Sequence, residues 1–400
     1  MNSANRAICT DRSAQPEILT VIEAPRKEEA PRKLPAIQIL RGLAAVLVVF
    51  HHSSVLVATH NVHPSWVVDS RLNIIGAAGV DIFFVISGFI MYYTTIQKKG
   101  IRNAAGFLRK RTLRIYPLYW FWTSMLLLVA LSKLAQPAHT HDARFVLSSY
   151  LLIPVFNGKN FDPFLYQGWT LSFEMLFYCV FALGIWINCR KSILVFLSAS
   201  FTGMFVVSLF LPPGGGAKYL FSNTVIIEFL FGVALAQLFL RTGKKTPPKL
   251  LRKGGPVVLM ALGSGLLLST VLIPTAQMGL FIWGPWRFVV WGIPSALIVL
   301  GFVTWKRSFT HPALVYLGDA SYSTYLAHIF VLSAFRLALE HASILRRVAV
   351  DPEIVVVMVV TILLTLPTYQ WIERPLTSLA RSTSARERLL ITWKSLKQSA

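Results

Sequence analysis

Acidic residues and cysteines are scarce in this chain. Of its 400 residues only 17 are Asp or Glu and three are Cys. Charged residues of both signs make up 14%, against roughly 25% in ordinary soluble domains. So small a charged share does not cover the surface of a soluble protein of this size. Disorder of the whole chain is excluded too. It needs low hydrophobicity, and 54% of this sequence is hydrophobic. Cys9 lies in a polar stretch. Cys179 and Cys189 are ten residues apart, about 15 Å on a helix, which is beyond disulfide reach. There is no CxxC pattern and no disulfide framework. Residues 1–36 carry no apolar core of signal-peptide type. No internal repeat is evident, and no aqueous domain stands beyond the two tails and one outer loop.

What fills the chain instead is long apolar runs. A membrane-spanning helix needs about 20 mostly apolar residues. Ten segments qualify: 37–58, 74–95, 114–135, 168–188, 192–211, 220–240, 256–273, 285–305, 314–338 and 353–372. The expected fold is therefore an all-α polytopic membrane protein. Residues 1–36 form a disordered tail, 37–377 a membrane domain and 378–400 a basic tail. Lys and Arg number 39, for a formal net charge of +22. With the N-terminus in the cytoplasm, 30 of those 39 fall on the cytoplasmic side. This positive-inside bias predicts ten helices with both termini cytoplasmic. It also removes the case for a nucleic-acid partner, because the charge follows topology. Two stretches exceed what topology asks. KKGIRNAAGFLRKRTLR (98–114) holds seven basic residues and RTGKKTPPKLLRK (241–253) holds six. Contact with anionic lipid is the ordinary reading of such loops.

Ionisable groups inside a bilayer are costly, about 2.5–3.5 kcal/mol each on the insertion scale, and mark functional sites by default. Arg41 and His52 in the first span are eleven residues apart. On a helix they lie within about 20° of one face, with a rise of about 16 Å. That places Arg41 at the cytoplasmic edge and His52 near the midplane. The second span carries GVDIFFVISGFIMYY. Its Asp81 either caps the helix or holds an imidazole in one tautomer. Ser87-Gly88 allows close helix approach or backbone contact with a ligand. Arg111 and Arg114, at the expected start of the third span, share a face with Phe107. Arginine suits forked phosphate recognition, and a helix N-terminus favours anions. Thr170, Glu174 and Tyr178 line one stripe of the fourth span. Buried there, Glu174 needs a partner. Glu228 in the sixth span has no supporting pattern. Asp319, Ser321, Ser323, Tyr325 and His328 form a polar cluster that either lines a cavity or ties helices together. WIERPL closes the last span, with Glu373 and Arg374 paired at the membrane edge and Pro375 as a helix stop.

Six of these motifs occur together in the acyltransferase family 3 integral-membrane proteins, which the chain resembles from about Ile37 to Thr377. They are Arg41 and His52 in the first span, GVDIFFVISGF at 79–89, and the RxxR of Arg111 and Arg114 before Tyr116-Pro117. The others are WTLxxE from Trp169 to Glu174, GxxSYSxYLxH at 318–328, and ERP at 373–375. Within the family the sequence looks most like the exopolysaccharide and O-antigen acetyltransferases, without a fused esterase-like domain. The resemblance implies a multi-pass protein of the bacterial inner membrane. It implies transfer of an acyl group, usually acetyl, from cytoplasmic acyl-CoA to a hydroxyl of a glycan or glycolipid, with membrane lipids as surroundings.

On that expectation Arg41, Arg111 and Arg114 hold the CoA phosphates. His52 acts as general base or acyl relay. Glu174 or Asp81 orients the imidazole. Ser87, Gly88, Trp169, Tyr325 and His328 contact substrate. No metal is expected, since no set of three or four ligands closes on one element; the candidates were His51, His52, His60 and His63, or His139, His141 and Asp142. The rival reading is a polytopic transporter with midplane charges, which calls for paired broken helices in two related halves.

Overall fold

The computed structural model describes residues 34–95, 98–132, 142–156, 161–242, 254–282, 284–305, 311–341 and 348–382. The N-terminal stretch 1–33, most of the basic 241–253 loop, His139, His141 and the C-terminal 383–400 lie outside them. Among the described residues every regular element is helical. Nine helices among the described residues are long and apolar enough to cross a membrane, and a tenth apolar helix is shorter. In chain order they are α1 Pro35–His60, α2 Leu72–Thr95, α3 Ile101–Leu131, α4 Gly168–Trp186, α5 Ile193–Phe210, α6 Gly216–Arg241, α7 Gly255–Leu272, α8 Phe288–Thr304, α9 Ser321–His341 and α10 Val350–Ser382. Each expected span has its counterpart. The buried aromatic core, with Phe173, Phe177, Phe181 and Phe229 fully buried, gathers where α2, α4 and α6 meet.

Four boundaries differ from the sequence expectation, each for a physical reason. The third helix begins at Ile101 rather than near residue 114. Its first three turns are basic and amphipathic, so hydropathy does not see them, yet nothing in IRNAAGFLRKR breaks a helix. Arg111 and Arg114 therefore sit mid-helix, and no helix N-terminus lies at them. The span 314–338 is interrupted at Ala320, between a short helix, Pro312–Asp319, and α9. The space a Gly318 side chain would take is filled by the backbone carbonyl of Gln38 in α1, and Gly42 packs against Gly318 in turn. The interruption lies at this backbone crossing. The eighth span shortens to 17 residues and opens with a π-turn, Phe288–Gly292. The tenth runs through Pro375 to Ser382, again by way of a π-turn, Tyr369–Glu373. In both cases the residue before a proline donates its N–H five residues back, Ile293 to Phe288 and Arg374 to Tyr369. The wider turn absorbs the donor that Pro294 and Pro375 lack. Pro375 thus does not end the helix.

α2 and α6 cross in close contact. The Cβ that Gly88 lacks would collide with the Phe229 backbone, and that of Gly232 with the Val85 carbonyl. Small residues at a helix crossing let backbones approach in this way. Of the two readings of Ser87-Gly88, helix approach is the one Gly88 serves.

Candidate active site

α1, α2, α3, α4 and α9 surround a cavity with about 740 Å³ of unfilled space, counting its open mouth. Its walls include Arg41, Ser87, Arg114, Thr170, Glu174, Tyr178, Ser321, Tyr322 and Tyr325, set among Val80, Phe83, Phe84, Ile90 and Met91. Helical periodicity delivers these groups. Thr170, Glu174 and Tyr178 recur every four residues on α4, and Ser321 and Tyr325 do so on α9, with His328 one turn further on and behind the wall.

The polar groups interlock. The hydroxyls of Tyr178 and Ser87 both donate to Glu174 Oε1, the latter at 2.9 Å. The Glu174 carboxyl is thus held by α2 and by its own helix. The hydroxyls of Thr170 and Tyr325 are 2.9 Å apart and join α4 to α9. Tyr322 donates to the Ile115 carbonyl at 2.8 Å and ties α9 to α3 just past Arg114. Arg41 is buried and donates to Gln38 Oε1 at 3.1 Å. Its electrostatic neighbours are Arg114, Glu373, Glu174 and Asp319.

A second, basic depression opens beside α3, lined by Arg109, Lys110, Arg111, Arg114 and Arg381 of α10 with Gly106 and Leu113. Arg114 belongs to both spaces. The Arg111 guanidinium lies over the rings of Phe107 and Tyr178, at 5.6 and 5.8 Å from their centroids. The shared face of Phe107, Arg111 and Arg114 is thus packed against the cavity wall. Arg381 was not foreseen. It lies beyond a proline expected to stop the helix.

His52 is not among the described residues lining the cavity. It stands one layer behind. The ring of Tyr325 is 6.1 Å from that of His328, whose ring is 5.0 Å from that of His52. His52 Nδ1 lies 2.9 Å from the Val48 carbonyl, and His328 Nδ1 lies 3.2 Å from the Thr324 carbonyl. A carbonyl oxygen only accepts, so each Nδ1 is assigned the hydrogen. In both neutral rings Nε2 is then left with the lone pair. The tautomer of His52 is set by its own helix backbone and not by a carboxylate.

Asp81 lies elsewhere. Both its oxygens accept from Arg287, from Nε at 2.9 Å and Nη2 at 2.8 Å. Arg287 also sits over the Trp291 ring at 4.7 Å. Buried Glu228 adjoins this pair. The charged unit bridges α2, α6 and the segment entering α8. Asp81 is thus engaged by Arg287 in a buried ion pair that ties these elements together. The only sequence signal for Arg287 was a buried acid without a partner. The remaining residues fall out as follows. Trp169 packs edge-on against Phe84 and Phe173 and does not line the cavity. Gly88 faces α6. Glu373 accepts from Ser323 at 2.6 Å, and Arg374 lies over Tyr369, so the two do not pair with each other. Among the described residues no three His, Cys, Asp or Glu side chains converge as a metal set would.

Comparison with known proteins follows the same ground. The acyltransferase domain family matches residues 34–370. An exopolysaccharide production protein, ExoZ, of Rhizobium meliloti (strain 1021) is 32% identical over 266 residues, 65% of this chain and 77% of its own length. Two proteins described as putative O-acetyltransferases, from Staphylococcus aureus strains COL and N315, are each 26% identical over 336 residues. Those matches cover 77% of this chain and 52% of each relative. No solved structure matches.

Proposed function

Because the chain belongs to the acyltransferase domain family, and is on that footing an acyltransferase, we propose that it moves an acetyl group from cytoplasmic acetyl-CoA to a hydroxyl of a cell-envelope glycan. The relatives named for exopolysaccharide production and O-acetyl transfer support the oxygen acceptor and the glycan class. The membrane is the bacterial inner membrane, with both termini on the cytoplasmic face.

One observation carries the reading of the donor. The basic depression and the polar-walled cavity share Arg114. A CoA molecule has an anionic, phosphate-rich head and a long thin arm that ends in sulfur. Arg109, Lys110, Arg111, Arg114 and Arg381 offer the head a cationic bed. The cavity beyond Arg114, mostly apolar with a line of hydroxyls, suits the arm. Along α1 the rise from Arg41 to His52 is about 16 Å, of the order of that arm.

At the inner end the residues act by position and charge. Glu174, fixed by Ser87 and Tyr178, offers a hydrogen-bond acceptor in the cavity wall. The Thr170–Tyr325 hydroxyl pair has one hydrogen outside its mutual bond, now directed at the Gln167 carbonyl, which can turn to a developing oxyanion. His52, its Nδ1 hydrogen bound to Val48, presents a basic Nε2 for general-base or acyl-relay chemistry. Acyl transfer needs no metal, since the thioester is already an activated acyl donor.

The test is the affinity for the donor. Replacing Arg111 and Arg114 together by Ala removes charge-assisted contacts, each about 1.5–3 kcal/mol, and should weaken acetyl-CoA binding by at least about tenfold. Isothermal calorimetry on detergent-purified protein measures it. Unchanged affinity in the double variant would move the CoA head away from α3.

A further inference from the structure

We propose that His328 is a second catalytic histidine: the base that takes the proton of the acceptor hydroxyl while His52 carries the acyl group. The proposal rests on the acyl-transfer reading above and goes beyond it by dividing the reaction between two imidazoles.

Three observations carry it. First, the rings of His52 and His328 meet at 5.0 Å between centroids, from helices 276 positions apart in sequence. Second, both rings are tied through Nδ1 to the carbonyl four residues back in their own helices. The two Nε2 atoms are the free basic sites. Two such lone pairs have no hydrogen bond to give each other, so this contact is not held by one. Third, His328 is fully buried and its Nε2 has no hydrogen-bond partner among the described residues. A buried polar atom without a partner is costly and calls for an explanation. A passing substrate proton supplies one. His328 also stands on the right face. Ser321 and Tyr325 line the cavity, and His328 is the next residue on that stripe, one turn beyond Tyr325. His52 keeps part of its surface open, as a group that must receive an acyl carbon requires.

The steps balance. Nε2 of His52 attacks the thioester carbonyl carbon. A C–N bond forms, the C–S bond breaks, and its electron pair leaves on the sulfur as thiolate. The acceptor hydroxyl oxygen then attacks the same carbon. A C–O bond forms, the C–N bond breaks, and the hydroxyl proton passes to Nε2 of His328. His52 returns to its neutral form. His328 gives the proton up to the thiolate or to water, and a thiolate that has already left takes one from water. One proton is lost by the acceptor and one is gained by CoA.

Two half-reactions separate the roles in the purified full-length protein. Exchange of labelled CoA into unlabelled acetyl-CoA, with no acceptor present, reports the His52 step. Release of labelled acetate to water reports the His328 step, with water standing in for the hydroxyl. In His328→Gln, exchange should stay within about threefold of wild type, while acetate release falls about 100-fold, the scale of a lost general base. The KM for acetyl-CoA should not change, and label should accumulate on the protein. His52→Gln should lose both activities. Added 4-methylimidazole should restore acetate release to His328→Ala, which a misfolded protein would not allow. Equal loss of both half-reactions in His328→Gln and His328→Ala, or loss of neither, overturns the proposal. A wild-type protein that transfers label to envelope glycolipid without CoA exchange also overturns it, yet keeps the acyltransferase reading. A wild-type protein that binds no acetyl-CoA ends both.

Discussion

Asp81 shows how far a single residue can be read from sequence. An acid in an apolar run announces a partner, and the partner is Arg287, with both carboxylate oxygens engaged. It could not be named in advance because Arg287 stands 206 residues away and reads as one more membrane-edge cation. His52 was legible for the opposite reason. Its relation to Arg41 lies within one helix, where spacing fixes geometry. Its contact with His328 does not, and periodicity says nothing of it. The buried ion pair makes a definite prediction. Asp81→Ala takes away the nearest anion of the buried Arg287 guanidinium and leaves Glu228 as its acidic neighbour, so the loss should approach but not exceed the about 3–5 kcal/mol of a broken buried pair. Asp81→Leu combined with Arg287→Met should recover most of that loss, since apolar packing replaces the pair. Thermal unfolding in detergent reads both. If the single variant is as stable as wild type, the pair is not a structural tie.

At the scale of elements the apolar runs foretold the helices and misplaced some of their ends. The basic first turns of α3 are invisible to hydropathy, and they supply four of the seven residues lining the depression where the donor head is proposed to lie. Pro375 reads as a helix stop, but a π-turn routes the backbone past it, and Arg381 reaches the depression as a result. The crossing of α1 with the Pro312–Asp319 helix depends on two glycines in contact, Gly42 and Gly318. A Gly318→Val substitution puts methyl groups where the Gln38 backbone stands. Overpacking of this kind costs about 1–3 kcal/mol. Because Arg41 and Ser321 flank the crossing and line the cavity, acetyl transfer should fall along with the melting temperature. A Gly318→Val protein with wild-type stability and turnover would show that the contact is slack.

For the whole molecule, the scarcity of acid and the placement of base were the most informative features. The first excluded a soluble surface, and the second set the expected orientation of spans that the apolar runs had already marked. They did not reveal that basic residues of α3 and α10 converge on one depression, because that depends on how two distant helices lean together. The depression is open to solvent, so its attraction for an anionic donor should be screened. Raising ionic strength from 0.1 to 1 M shortens the Debye length from about 10 to about 3 Å. The KM for acetyl-CoA should rise several-fold over that range while kcat stays nearly constant. Steady-state kinetics in one detergent checks this, and a salt-independent KM would argue that the head binds elsewhere.

Acyl transfer is proposed to take place at the His52–His328 pair, one layer behind the Tyr325 wall of the cavity. The most direct measurement is transfer of label from acetyl-CoA to extracted envelope glycolipid by purified protein, comparing wild type with His52→Ala. Labelled glycolipid is expected from wild type and none above background from the variant, with acetyl-CoA still bound by both. Full transfer by a folded His52→Ala protein would contradict it.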